Sequence, residues 1–456
     1  MVKRFAIILA AGKGTRMKSK LHKMLHSVVG RPMIQHVIEQ LQSIQLDEMA
    51  TVVGYGAEEV TQRIGHESKY VTQEEQLGTG HAVLQAETLL GNVDGTTIVV
   101  CGDTPLITKE TYQALIDHHE KVGSKGTVLT AKAPNPTGYG RVIRNDKNQV
   151  ERIVEHKDAT EQERLVDEIN TGTYCFDNQA LFWALKEVSN DNAQGEYYLT
   201  DVIEILKNKS ENVSAFMTPE FEETMGINDR VDLSEAEKVM RRRINEHHMN
   251  NGVTIIDPDQ TYIHADVTIA QDVIIYPGSI ITGQTTIGPE VEIGPHTEID
   301  QCTIERATKI RQSVVQGSHI GEEADIGPYA YIRPETKTDR NVKIGSFVEV
   351  KKTSVDENSK IPHLSYIGDT EIGKNVNVGC GTITVNYDGK EKHKSNVADH
   401  AFIGCNSNLI APVSIGEGAY VAAGSTITKD VPGESLSIGR ARQVNKEGYA
   451  TKFKKQ

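Results

Sequence analysis

From residue 263 onward aliphatic side chains return at every sixth position in successive runs. Ile263, Ile269, Ile275, Ile281, Ile287, Ile293 and Ile299 form one unbroken run, and Val397, Ile403, Leu409, Ile415, Val421 and Ile427 form another. Shorter runs (Ile320, Ile326, Ile332; Ile372, Val378) lie between them. A period of six drifts around an α-helix, and strand alternation alone would not select one aliphatic in six. A coil of three short flat strands fits, each sending one branched side chain inward. Glycine often follows the aliphatic, as at Gly288, Gly294, Gly321, Gly327, Gly345, Gly404 and Gly416. The period predicts a left-handed parallel β-helix of hexapeptide repeats over 252–437. At ~18 residues per coil that makes about ten coils, each stacked only on its neighbours.

The first half has a different rhythm. FAIILA, TVVG and TTIVVC are short apolar runs separated by helical patterns that begin near Pro32, Ala57 and Thr108. Such alternation predicts an α/β Rossmann-like domain, a mostly parallel sheet covered by helices. Val231 to Met249 is polar and charged, with three arginines at 241–243, and reads as a solvated linker helix; a domain-capping helix is an equal and compatible reading. The expected organisation is therefore 1–230, the α/β domain; 231–251, a linker helix; and 252–456, the β-helix domain.

The string IILAAGKGTRM closes the first strand with Gly12 and Gly14 one residue apart, and Lys13 and Arg16 follow closely. It lacks the spacing of a Walker loop and the third glycine of a dinucleotide fold. An anion cradle remains, built from exposed backbone amides with Lys13, Arg16 and Lys23 adding charge, although an ordinary strand-to-helix turn gives the same string. Asp103, in CGDTPL after TTIVVC, would stand at the carboxyl end of a parallel strand, where open α/β sheets bind ligands. A lone carboxylate there suits magnesium, which takes few protein ligands; a turn-forming Asp before Thr-Pro is the plainer alternative. QEEQLGTGHA supplies Gln73, Gly78 and Thr79, amide and backbone groups suited to a base edge and to close phosphate approach. GYGR at 138–141, VEHKDAT at 154–160, INTG at 169–172 and GIND at 226–229 each break an apolar strand edge.

In the second half the informative residues depart from the repeat. Polar content rises between Ile332 and Tyr387: Arg333, Lys351, His363, Tyr366, Asn377, Asn386 and Tyr387. His363 lies two residues after Ile361 and so out of the inward phase. An imidazole can accept a proton near neutral pH, which suits a general base; a surface histidine among sixteen is the alternative.

Bulk properties narrow the partners. The 456 residues carry a net charge of -14, which argues against sequence-independent nucleic-acid binding and for small-molecule substrates. Phe5 to Ala11 mimics a signal peptide but is short and runs straight into GKGTR, and no segment approaches the ~18 apolar residues of a membrane span. Five widely spaced cysteines without a CxxC suit reduced thiols, so a cytoplasmic location without membrane insertion is expected.

Taken in order, these strings resemble the sugar nucleotidyltransferases. With the hexapeptide half attached, nearly the whole chain resembles the bacterial bifunctional N-acetylglucosamine-1-phosphate uridyltransferase/glucosamine-1-phosphate acetyltransferase family. The resemblance implies that Leu9, Ala10, Ala11 and Gly12 hold UTP, with Arg16 and Lys23 over its phosphates. It implies Gln73, Gly78 and Thr79 for the uridine part, Gly140, Glu155 and Asn170 for the amino sugar, and Asp103 with Asn228 as ligands of Mg²⁺. In the second half it implies His363 as general base, Arg333 and Lys351 on the sugar phosphate, and Tyr366, Asn377 and Asn386 on the sugar. Tyr387 with Asn386, then Ala423 and Arg440, would line the path of acetyl-CoA, with Cys380 and Cys405 beside it. A homotrimer with acetylation sites at subunit junctions is implied as well. The rival expectations are a single-activity nucleotidyltransferase with a regulatory β-helix, and a non-enzymatic solenoid scaffold.

Overall fold

The computed structural model describes residues 2–453, which divide into two compact units, one ending at Met240 and the other beginning at Arg241. In the first unit the strand Arg4–Leu9 lies between Thr96–Cys101 and Glu48–Val53, and Lys69–Thr72 extends the sheet beyond the latter, all parallel. Phe5, Ile7 and Ile8 are buried, as expected of a strand covered on both faces. Helices Met33–Gln42 and Lys109–Val122 return the chain between strands; the first buries Met33, Ile34, Val37, Ile38 and Leu41, the spacing of one helical face.

The sheet is not parallel throughout. Glu168–Asp177 runs antiparallel to both Thr96–Cys101 and Gly126–Lys132, and the hairpin Arg141–Arg144/Val150–Val154 joins it through the pair Ile169 and Arg141. Strand order therefore reverses at Arg4–Leu9, which puts the crevice at the carboxyl ends of that strand and of Thr96–Cys101.

The second unit is three parallel sheets of eleven, ten and nine strands. One face stacks Ile275, Ile293, Ile310, Ile326, Ile344 and Ile361 in register; a second stacks Ile263, Ile281, Ile299, Val315, Ile332, Val350 and Ile367. These side chains are all buried and form one continuous core. Three departures from the strict beat have local causes. Coils between Ile293 and Ile326 are shorter, so the aliphatics stay in spatial register while their sequence spacing slips. Thr338 takes an inward position between Ile320 and Val355, its hydroxyl accepting from the Gly321 amide at 3.1 Å. Ile372 pairs with Val397, and the extra residues of that coil form a loop at its rim.

The helix Arg230–Asn250 is not solvated all round. Ala236, Val239, Asn245 and His248 are buried, Ile244 and Met249 pack on the β-helix core, and Asn245 Nδ2 donates to the carbonyls of Pro258 at 2.9 Å and Thr261 at 3.0 Å. No helix of the described residues is long and apolar enough to cross a membrane.

Candidate active sites

A cleft of about 390 Å³ opens at the strand-order reversal of the first unit. Leu9, Ala11, Gly12, Arg16, Lys23, Gln73, Gly78, Thr79, Asp103 and Asn228, expected from the sequence to act together, all line it. Ala10 does not; it is fully buried beneath the loop, its amide donating to Val52 O at 2.9 Å. Gly14 is left-handed (φ 58°), and a Cβ there would meet the Lys23 stem, so this glycine makes room for the lysine.

Charge converges on two oxygens. Lys23 Nζ donates to Asp103 Oδ2 and, at 3.1 Å, to Asn228 Oδ1; Arg16 Nη2 donates to the same Asn228 oxygen at 2.9 Å. Asn228 is held in turn by its own amide, which donates to Asp232 Oδ2 at 2.9 Å. One cation thus already sits between both oxygens, which tests the site for a metal: Asp103 and Asn228 face a common point and supply hard oxygen donors suited to Mg²⁺. No group of three or more His, Cys, Asp or Glu suited to a metal occurs among the described residues, so a bound ion would complete its shell with water and substrate oxygens.

Gln73 is buried, its Nε2 bonded to Gly78 O at 3.1 Å and His81 Nδ1 at 3.0 Å, so the amide expected to meet a base also shapes the loop around it. Thr79 Oγ1 accepts from Leu199 N at 3.0 Å. Gly140, Glu155 and Asn170 form a neighbouring group: Asn170 N donates to Gly140 O at 2.9 Å, and a Cβ on Gly140 would lie 3.5 Å from Glu155 Oε1. Burial, then Asp158, Asp201 and Glu196, raise the Glu155 carboxyl above its usual range.

On the β-helix, parallel pairing places Tyr366 beside Glu349 on the coil below, and Lys351 beside Gly368. Arg333 Nη1 donates to Glu349 Oε1 at 2.8 Å and its guanidinium lies 5.7 Å from the Tyr331 ring. Asn386 Nδ2 donates to Asp369 Oδ2 at 2.5 Å and reaches the Tyr366 hydroxyl at 3.5 Å. The rim loop adds Lys392, which contacts the Lys351 ammonium; that contact lowers the Lys392 ammonium below its usual range. Two adjacent ammonium groups beside a guanidinium favour an anion. Asp388 shapes this loop, accepting from the amides of Lys390 and Glu391 at 2.8 Å each and from His393 at 2.7 Å, while Tyr387 projects into solvent.

His363 ends the strand Lys360–His363, exposed, while Ile361 points inward. Asn377 pairs with Lys360 on the same sheet. Ser365 Oγ donates to the carbonyls of His363 at 2.8 Å and Gly379 at 3.4 Å, so Cys380 begins one rung above the histidine. From there one corner climbs from coil to coil: Asn406 N donates to Cys380 O and Gly424 N to Cys405 O, both at 2.7 Å, with Ala423 preceding Gly424 and Arg440 lying over it.

Lys13, expected to add charge to the cradle, lines the cleft as well; the structure adds Gln76 and Glu196 there, and Asp369 and Lys392 to the β-helix group. For Lys392 the available signal was the charge run at 390–394 just after Asn386 and Tyr387, which also reads as a plain turn.

The nucleotidyl transferase family matches residues 5–224, and bacterial transferase hexapeptide (six repeats) matches residues 394–429. The bifunctional protein GlmU of Geobacillus sp. (strain WCH70) is 62% identical over 453 residues, 99% of each chain. That of Oceanobacillus iheyensis is 64% identical over 455 residues, 100% of each. That of Listeria monocytogenes serotype 4a is 56% identical over 450 residues, 99% of this chain and 98% of its own.

Proposed function

The chain belongs to the bifunctional GlmU family, and from that premise we propose that its two side-chain clusters divide the two reactions of UDP-N-acetylglucosamine synthesis. Residues 252–456 acetylate glucosamine 1-phosphate with acetyl-CoA, residues 1–230 transfer UMP from UTP to N-acetylglucosamine 1-phosphate, and 231–251 link them. The convergence of Lys23, Arg16, Asp103 and Asn228 carries the second assignment.

In uridylyl transfer the nucleophile is a sugar phosphate oxygen, already ionised at neutral pH, which attacks the α-phosphorus of UTP and expels pyrophosphate. No general base is required. Lys23 and Arg16 neutralise phosphoryl oxygens, while Gln73, Gly78 and Thr79 orient the nucleoside and Gly140, Glu155 and Asn170 the amino sugar. Asp103 and Asn228 would hold a magnesium ion, which would draw charge from the transferring group.

In acetyl transfer His363 takes a proton from the amine as nitrogen attacks the thioester carbonyl, and coenzyme A leaves as thiolate. Arg333, Lys351 and Lys392 bind the sugar phosphate; Tyr366, Asn377 and Asn386 orient the sugar. Tyr387, Cys380, Cys405, Ala423 and Arg440 line the coenzyme path along the corner. Beside His363, Tyr329 and Phe347 stack at 5.3 Å, and with Leu364 they are 54%, 61% and 59% exposed. An uncovered apolar column of this kind supports a homotrimer in which a second copy completes the site. The enzyme works on small cytoplasmic substrates.

The test mixes purified protein with glucosamine 1-phosphate, acetyl-CoA, UTP and Mg²⁺ and follows coenzyme A and pyrophosphate separately. Asp103→Ala is expected to abolish uridylyl transfer from N-acetylglucosamine 1-phosphate and spare coenzyme A release; His363→Ala is expected to do the reverse. Loss of both activities from either folded variant would refute the division.

A further inference from the structure

Both oxygens assigned above to the metal are held by cations of the chain itself. Lys23 Nζ bonds Asp103 Oδ2 and Asn228 Oδ1, and Arg16 bonds the latter. The Lys23 side chain is 9% exposed and its stem packs against Gly14, so its ammonium is largely withdrawn from bulk water and favours an anionic partner within the cleft. Asp103 is that partner. The cleft wall carries Lys13, Arg16 and Lys23 against Asp103 and Glu196, an excess of positive charge. A divalent cation approaching the nucleotide-free protein therefore meets like charge and finds Asp103 Oδ2 and Asn228 Oδ1 already engaged by the chain's own cations.

A nucleoside triphosphate reverses both conditions, because its oxygens offer Lys23 and Arg16 better acceptors and overturn the net charge. We propose that Lys23 is the resident counter-ion of the metal ligands, and that the triphosphate draws its ammonium off Asp103. The divalent cation then binds with or after the nucleotide and not before it. This rests on the assignment of Asp103 and Asn228 as ligands. It goes beyond that assignment by giving the lysine two successive partners and the cation an order of entry.

Binding, not turnover, tests it. Mn²⁺ is titrated into the full-length protein without nucleotide, and free Mn²⁺ is read by electron paramagnetic resonance. The parent is expected to bind weakly, and Lys23→Met to bind about tenfold more tightly or better, the smallest effect expected when an adjacent charge is removed from a carboxylate. Lys23→Arg, which keeps the charge, is expected to stay at the parent level. Should Lys23→Met fold poorly, Arg16→Gln alters only an exposed side chain; it removes one cationic donor from Asn228 and is expected to tighten Mn²⁺ by a smaller factor. The double variant Lys23→Met/Asp103→Asn separates the two ideas. Return to weak binding supports both, whereas a retained gain places the ion elsewhere and sinks the ligand assignment. Lys23→Met or Arg16→Gln binding no more tightly than the parent overturns the counter-ion proposal alone.

Discussion

Ile344→Ala would open a hole in the middle of the β-helix. Ile344 is fully buried, in register with Ile326 on one side and Ile361 on the other, and its strand pairs with the one that ends at His363. The change removes three carbons, a transfer loss of about 2.4 kcal/mol at roughly 0.8 kcal/mol per buried group. The cavity adds to that, since coil spacing is fixed by backbone bonds on both sides: Gly327 N to Ile344 O at 2.8 Å, and Lys343 N to Ser359 O at 3.0 Å. A wall that cannot collapse places the total in the upper part of the ~2–5 kcal/mol range, at about 4 kcal/mol. In a unit of this size that lowers the melting temperature by about 8–16 °C. The assay is residual activity after timed heating, with coenzyme A and pyrophosphate release measured on the same samples. Acetyl transfer should fail at the lower temperature while uridylyl transfer follows the parent curve. A shift of less than about 3 °C would show that the coils relax inward, contrary to the rigid-spacing argument; simultaneous loss of both activities would refute the independence of the two units.

Two further outcomes test the charge and thiol environments. Burial pushes the Asp201 carboxyl up to about 6, reinforced by Glu204 and Asp158. The folded state then keeps a proton that the unfolded chain releases near pH 4, so this group costs stability as pH rises from about 4 to about 6. Asp201→Asn should raise the melting temperature at pH 8 and leave it unchanged at pH 4; an equal gain at both would assign the effect to packing. Among the thiols, Cys405 is exposed and Cys380 half-buried, while burial raises Cys101 to about 12, Cys302 to about 11, and Cys175 well above its usual range. A maleimide should therefore stop acetyl transfer before uridylyl transfer, and equal loss of both would remove Cys380 and Cys405 from the coenzyme path.

Legibility in the sequence followed how local each feature was. The strand TTIVVC and the helix after Pro32 could be read directly, since burial on both faces or on one helical stripe leaves a mark within a dozen residues. The antiparallel strand Glu168–Asp177 could not, because INTG and its neighbours look alike whichever direction the partner runs. Lys392 escaped because NYDGK marks a turn in any protein; only the lengthened coil brings its ammonium against Lys351. The helix Arg230–Asn250 reads as polar, yet Asn245 is buried because two carbonyls happen to face it.

The beat of six was decided by the chain alone, because a flat three-sided coil admits one branched side chain per short strand and repeats that demand on every turn. Tertiary structure decided the chemistry. Lys23 lies 80 positions from Asp103 and 205 from Asn228, and nothing in those intervals records that all three end at one point. Their meeting follows from strand order at a sheet crevice, where separate loops share a single space and opposite charges settle against one another.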